Sequence, residues 1–200
     1  MDQKEHIEAL KDIRQMMQRS VRFLSLSGLS GIFAGIYALA AAYLAYLKLE
    51  SGAGRTDARG TLIYLMALAL GCLILAIGTA FFFTRKNARK KGLKLWDDSA
   101  RLAFINLSIP LATGGLFAIA LIRAGAIGFV APATLVFYGL ALINASRHTF
   151  PMIRQLGILE ILLGLIAAFV WGHGLLFWAI GFGLLHIVYG LFMYFKFERS

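Results

Sequence analysis

Glu160 stands in the run LGILEILLGL and is the one acidic side chain inside any of the six long apolar stretches of the chain. A carboxylate set among leucine and isoleucine must face other protein, take a polar partner or carry a proton, because charge is costly in apolar surroundings. Gly157 and Gly164 fall on its side of the helix and leave room for a neighbour. A helix that starts at Pro151 carries Glu160 about 13 Å along its axis. The candidate partners are His186, Asn106, Ser108 and Tyr138, together with the flanking bases Arg147 and Arg154. His186 is the partner of most chemical interest, because imidazole gains and loses a proton near neutrality. Three arrangements fit these residues: a proton-linked site or polar pocket, a packed Glu–His or Glu–Asn bridge, or a carboxyl that reaches toward an interface.

Other chemistry finds no support. There is no GxSxG nucleophile pattern, no HExxH pattern and no convincing pair of acids. Cys72 is the single cysteine and reads as a small packing residue, and no His and Cys pair has metal-ligand spacing. No catalytic residue, cofactor or metal is therefore expected.

The elements that must position Glu160 are helices. A hydrocarbon core about 30 Å thick needs roughly 20 mostly apolar residues as helix, and lipid leaves backbone polar groups no partner outside the helix. The apolar stretches run approximately over 21–46, 61–83, 102–122, 126–145, 151–171 and 174–195. The runs do not alternate as barrel strands would. The predicted fold is thus all-α, a polytopic membrane protein with a compact bundle of six transmembrane helices in three antiparallel hairpins. Residues 21–196 form one membrane domain, after an N-terminal segment 1–20 and before a tail 197–200. Pro151 suits a first turn, with Thr149 or Ser146 as candidate caps, and Pro110 predicts a kink near Asn106. Ser27, Gly31 and Gly35, then Ala67 and Gly71, then Gly157 and Gly164 mark the expected close helix contacts.

Of 200 residues, 60% are hydrophobic and 15% charged, with a formal net charge of +10. In a soluble chain that excess would suggest nucleic acid; here the bases flank the crossings, and nucleic acid is not expected. Lys48, Arg55, Arg59 and Arg123 fall on one side, and the other 16 of the 20 lysines and arginines on the opposite side. That asymmetry places both termini in the cytoplasm. Met1–Ser20 is too polar for a signal peptide and reads as an amphipathic cytoplasmic helix, with Ile7, Leu10, Ile13, Met16 and Met17 at helical spacing. Its Lys11, Arg14 and Arg19, with Arg85, Lys86, Arg89, Lys90, Lys91 and Lys94 of the loop Thr84–Ser99, are candidate contacts for anionic lipid headgroups. Asp97 and Asp98 fit the first turn of the third helix.

The stretches IRQMMQRSVRFLSLSGLSGIFAGIYAL, LWDDSARLAFINLSIPLATGG, and ASRHTFPMIRQLGILEILLGL through GFGLLHIVYGLFMYFKFE resemble a small, largely uncharacterised family of six-helix bacterial membrane proteins of Bacteroidota type. The resemblance implies an inner-membrane address and the same topology, without an activity or a catalytic residue. Two functions are carried forward as expectations. One is a non-enzymatic stress-related, sensory or accessory component that works with a membrane-protein partner or as a homo-oligomer. The other is a small transporter or proton-coupled permease that uses Glu160.

The topology has a direct check. Reporter fusions after Glu50, Lys91, Gly125 and Ser200 are expected to read outside, inside, outside and inside. An external reading at Lys91 or Ser200 would overturn the arrangement.

Overall fold

The computed structural model describes residues 26–51, 57–92 and 96–198. The segment 1–20 with Lys11, Arg14 and Arg19, as well as Lys94 and residues 199–200, lies outside the described residues. Among the described residues the chain is helical and has no strand.

Helix α1 spans Gly28–Glu50, α2 Ala58–Lys90 and α3 Asp98–Arg123. Helix α4 spans Val130–Ala145, preceded by a 3-10 turn at Ile127–Phe129, and α5 spans Pro151–Phe169. The last helix, α6, runs over Gly174–Phe197 and contains a π-helical segment at Ala179–Leu185. With the short turns that flank α4, six helices are long and apolar enough to cross a membrane.

Local chemistry sets most of the ends. The Asp57 carboxylate accepts from Gly60 N–H at 2.8 Å to open α2, and Asp97 accepts from Ala100 N–H at 2.7 Å to open α3. Both satisfy amides that have no partner within the helix. Pro151 lies in the first turn of α5 as its missing N–H allows, but the candidate caps do not cap. Ser146 Oγ donates backward to Ile143 O, and Thr149 Oγ1 to Ala145 O. Phe150 takes the cap position without a side-chain bond. Helix α2 continues well past residue 83 because Arg, Lys and Ala are good helix formers. It ends at Lys90, and Gly92 just beyond has a φ of 64° that glycine adopts without strain. Arg85, Lys86, Arg89 and Lys90 are therefore on a helix and not in a loop. Helix α3 remains helical through Pro110.

Helix α1 is capped from the other end of the chain. The Glu198 carboxylate accepts from Ser27 Oγ at 2.9 Å and from the Gly28 amide. A negative group there also meets the positive end of the helix dipole. Asn87 of α2 donates to Leu26 O at 3.1 Å. The start of α1, the end of α2 and the end of α6 thus meet at one end of the molecule.

Two helix pairs touch backbone to backbone. Along α1 and α6, a Cβ on Gly28 would meet Gly190 O and Tyr194 N, and one on Gly35 would meet Gly183 O and Ile187. Residue numbers rise on one helix as they fall on the other, so the pair is antiparallel. Along α4 and α5, Gly139 and Gly157 face each other's carbonyl oxygens, and Gly164 packs on Pro132 O. Helix α2 lies against α1, with Phe33 and Phe83 stacked at 5.3 Å, and α3 lies against α4 through Gly114 and Phe137. Helices α5 and α6 meet more lightly than either meets its glycine partner. Gly71 is no contact point: nothing stands within 4 Å of where its Cβ would be, and Ala67 is exposed. Helix α2 turns large residues such as Leu70, Ile74, Ile77 and Phe82 outward, while the buried positions of α1 are glycine and alanine. Small residues inside and large apolar ones outside is the distribution that suits close helix approach in an apolar solvent.

Gly157→Ala is expected to lower stability by about 1–3 kcal/mol, since the new methyl meets backbone that cannot give way. Gly78→Ala, in open space, should be neutral or slightly stabilising. Equal thermal unfolding midpoints for the two variants in detergent would contradict the backbone seam.

Candidate functional site

The buried residues of α5 are Ile153, Leu156, Gly157, Glu160, Gly164 and Ala167. Their three- and four-residue spacing draws one stripe along the helix, and Glu160 sits at its middle with 0% exposure. Three side chains named from the sequence come together there. Glu160 Oε1 lies 3.5 Å from His186 Nδ1, and His186 Nε2 lies 2.7 Å from the Tyr138 hydroxyl. Helices α4, α5 and α6 each supply one group.

The π-helical segment shapes the contact. His186 directly follows it, and its Nδ1 also lies 3.0 Å from Gly181 O. A carbonyl only accepts, so Nδ1 carries a hydrogen and donates to Gly181 O. With a neutral ring, Nε2 then accepts from Tyr138 O–H; with a charged ring, Nε2–H donates to the Tyr138 oxygen. The 3.5 Å to Glu160 is longer than a hydrogen bond and is an ion-pair distance from the same ring nitrogen. Gly181 also gives the carboxyl its place: a Cβ there would collide with Glu160 Oε2 and with Leu135. Phe182 of the same segment covers the ring of Tyr138 at 4.9 Å and that of His186 at 6.0 Å.

Neither oxygen of Glu160 has a hydrogen-bond partner among the described residues, and neither does the buried hydroxyl of Tyr189, one turn beyond His186. Buried polar atoms are rarely left so. Arg147 and Arg154 are exposed and form no ion pair with Glu160. Asn106 Nδ2 donates to Leu102 O within its own helix at 2.8 Å. Ser108 is half-buried on α3, and no hydrogen bond joins it to Glu160. Asn106 is thus satisfied by the preceding turn, and neither residue is hydrogen-bonded to Glu160.

Gly181 and Leu135, which enclose the carboxyl, were not singled out from the sequence. The signal for the first is the GFG triplet two residues before Leu185-His186 in the last apolar run. Gly183 of that triplet packs on Leu39 of α1, so one short segment touches both glycine-sealed pairs.

The basic end of α2 is the second candidate surface. Arg85, Lys86, Arg89 and Lys90 are exposed, while Thr84, Asn87 and Ala88 are buried. The four cations therefore share the outward face of the helix. Lys91 is exposed immediately after it.

Among the described residues no group of three His, Cys, Asp or Glu side chains could hold a metal ion. Comparison with protein-family models, with curated proteins and with solved structures gives no match.

The contact between Gly181 and Glu160 can be measured by a double-mutant cycle. Gly181→Ala is expected to destabilise the parent, and to cost less once Glu160→Ala has vacated the space. A coupling of about 0.5–3 kcal/mol is expected; additive effects would separate the two residues.

Proposed function

We propose that this chain is a small multi-pass protein of the bacterial inner membrane, with six transmembrane helices as three antiparallel hairpins and both termini cytoplasmic. Outward-facing large apolar residues and inward-facing small ones support the bilayer as its solvent. The 16-to-4 distribution of lysine and arginine supports the orientation. The outward cations of α2, from Arg85 to Lys90, would then lie at the cytoplasmic headgroups and take anionic lipid.

Within that membrane the protein is a non-enzymatic, stress-related sensory or accessory component, acting with a membrane-protein partner or a second copy of itself. The enclosure of Glu160 carries this reading. Its carboxyl has no exposure and is shut in by Gly181, Leu135 and His186. A transported solute needs a path to its binding group; a group that reports a state of the membrane or its pH needs only to be coupled to helix packing. The second reading is a proton-coupled permease, and the unpartnered oxygens of Glu160 are the observation in its favour.

Purified protein in sealed vesicles with an internal pH dye separates the two. The accessory reading predicts proton flux no greater than that of empty vesicles, for the parent and for Glu160→Gln alike. Gradient-driven flux in the parent that E160Q abolishes would replace it with the permease.

A further inference from the structure

We infer that Glu160, His186 and Tyr138 form a proton-exchange site, and that the proton held there keeps the π-helical segment of α6 seated on α4 and α5. The inference rests on the sensory reading above and names its stimulus.

Charge is the first argument. With one dissociable proton shared between carboxyl and imidazole, the pair is neutral, either as two uncharged groups or as an ion pair. Removing that proton leaves a net negative charge, and among the described residues no positive side chain faces it. Helix α4 presents Tyr138, α5 presents Glu160 itself, and α6 presents His186 and Tyr189. Helix α1 meets the π segment through Gly35 and Leu39, and α3 reaches α4 through Gly114 and Phe117 against Phe137; none of these carries charge. The same loss sets the carboxylate beside Gly181, where not even a Cβ would fit against Oε2 and whose carbonyl oxygen accepts from Nδ1.

Mechanical asymmetry is the second argument. On its α1 side, α6 is fixed by backbone contacts at Gly28, Gly35 and Gly190 and by the Glu198 cap. On its α4–α5 side, contact is lighter and centres on the first turn of α6 and on this cluster. Repulsion at Glu160 therefore opens the α5–α6 boundary and leaves the α1–α6 seam closed. A π-helical segment suits this role, because it interrupts the regular i→i−4 ladder of the helix and such segments are frequent at functional sites.

In the exchange step the carboxyl O–H bond breaks, and the proton passes to a water molecule entering at that boundary, which carries it out to bulk water. A second water molecule remains and donates to the Glu160 oxygens, which have no hydrogen-bond partner among the described residues. Reprotonation expels it and reseats the segment.

The test is infrared difference spectroscopy of the protein in phosphatidylethanolamine–phosphatidylglycerol vesicles, with amide hydrogen exchange followed in parallel. Raising the pH is expected to remove a carboxylic C=O band that E160Q lacks, and at the same midpoint to speed exchange across Gly181–His186. E160Q, whose amide mimics the protonated acid, should keep slow exchange at every pH. Tyr138→Phe should move the midpoint of both signals together, which keeps the test available if E160Q does not assemble. A carboxyl band that does not titrate, or one that titrates while exchange in the segment stays constant, would overturn the inference. Flux through the vesicles with a titrating carboxyl would instead overturn the accessory reading and leave the exchange site standing.

Discussion

Backbone-to-backbone approach at glycine is the constraint from which the rest of the architecture follows. Where Gly139 faces Gly157, and Gly28 and Gly35 face Gly190 and Gly183, no side chain separates the helices. Each pair is held by dense van der Waals contact along its seam. Between the pairs lies a boundary with less contact, and the chain places its buried ionisable groups there. Glu160 belongs to the α4–α5 pair and His186 to the α1–α6 pair, so their 3.5 Å approach spans the boundary. Gly181 and Gly183, two residues apart in the π-helical segment, serve its two sides: one accommodates the carboxyl, the other Leu39 of α1.

The ends of the chain reinforce this division. Glu198, just past α6, caps α1 with its carboxylate, and Asn87 ties the end of α2 to Leu26. Leu26, Ser27 and Gly28 at the start of α1 are therefore held by both α2 and α6. Any movement of α6 as a unit with α1 is carried to this knot and to the row of exposed cations beside it. A change at Glu160 has in this way a continuous packed route to the basic end of the molecule.

Much of this was legible in the sequence, for reasons that vary by residue. The helices follow from hydropathy, and acids at the start of α3 from the helix dipole, although Asp97 is the cap and only Asp98 lies in the first turn. Glu160 stands out because an acid in an apolar run is costly wherever it lies, and His186 and Tyr138 follow as groups able to answer it. Asn106 and Ser108 fit the same argument, but Asn106 bonds its own preceding turn, which leaves it no need of a partner on another helix, and no hydrogen bond joins Ser108 to Glu160. Gly71 follows the small-residue spacing yet faces open space; spacing gives a face but not what stands opposite it. The π-helical segment was not legible. It packs against α1 at Gly183 and against Glu160 of α5 at Gly181, and hydropathy along one helix carries no record of such tertiary contacts.

The central claim is that the Glu160 carboxyl and the His186 ring face each other inside the molecule, closed off by Gly181 and Leu135. Solid-state NMR of the protein in lipid bilayers, with 13C in glutamate carboxyls and 15N in histidine rings, tests it most directly. The account predicts a dipolar contact between the Glu160 carboxyl carbon and His186 Nδ1, as the 3.5 Å Oε1–Nδ1 separation requires. At the pH where the site is closed, that carboxyl should show no cross-peak to bulk water. A Glu160 carboxyl in contact with water or lipid, with no coupling to His186, would contradict it.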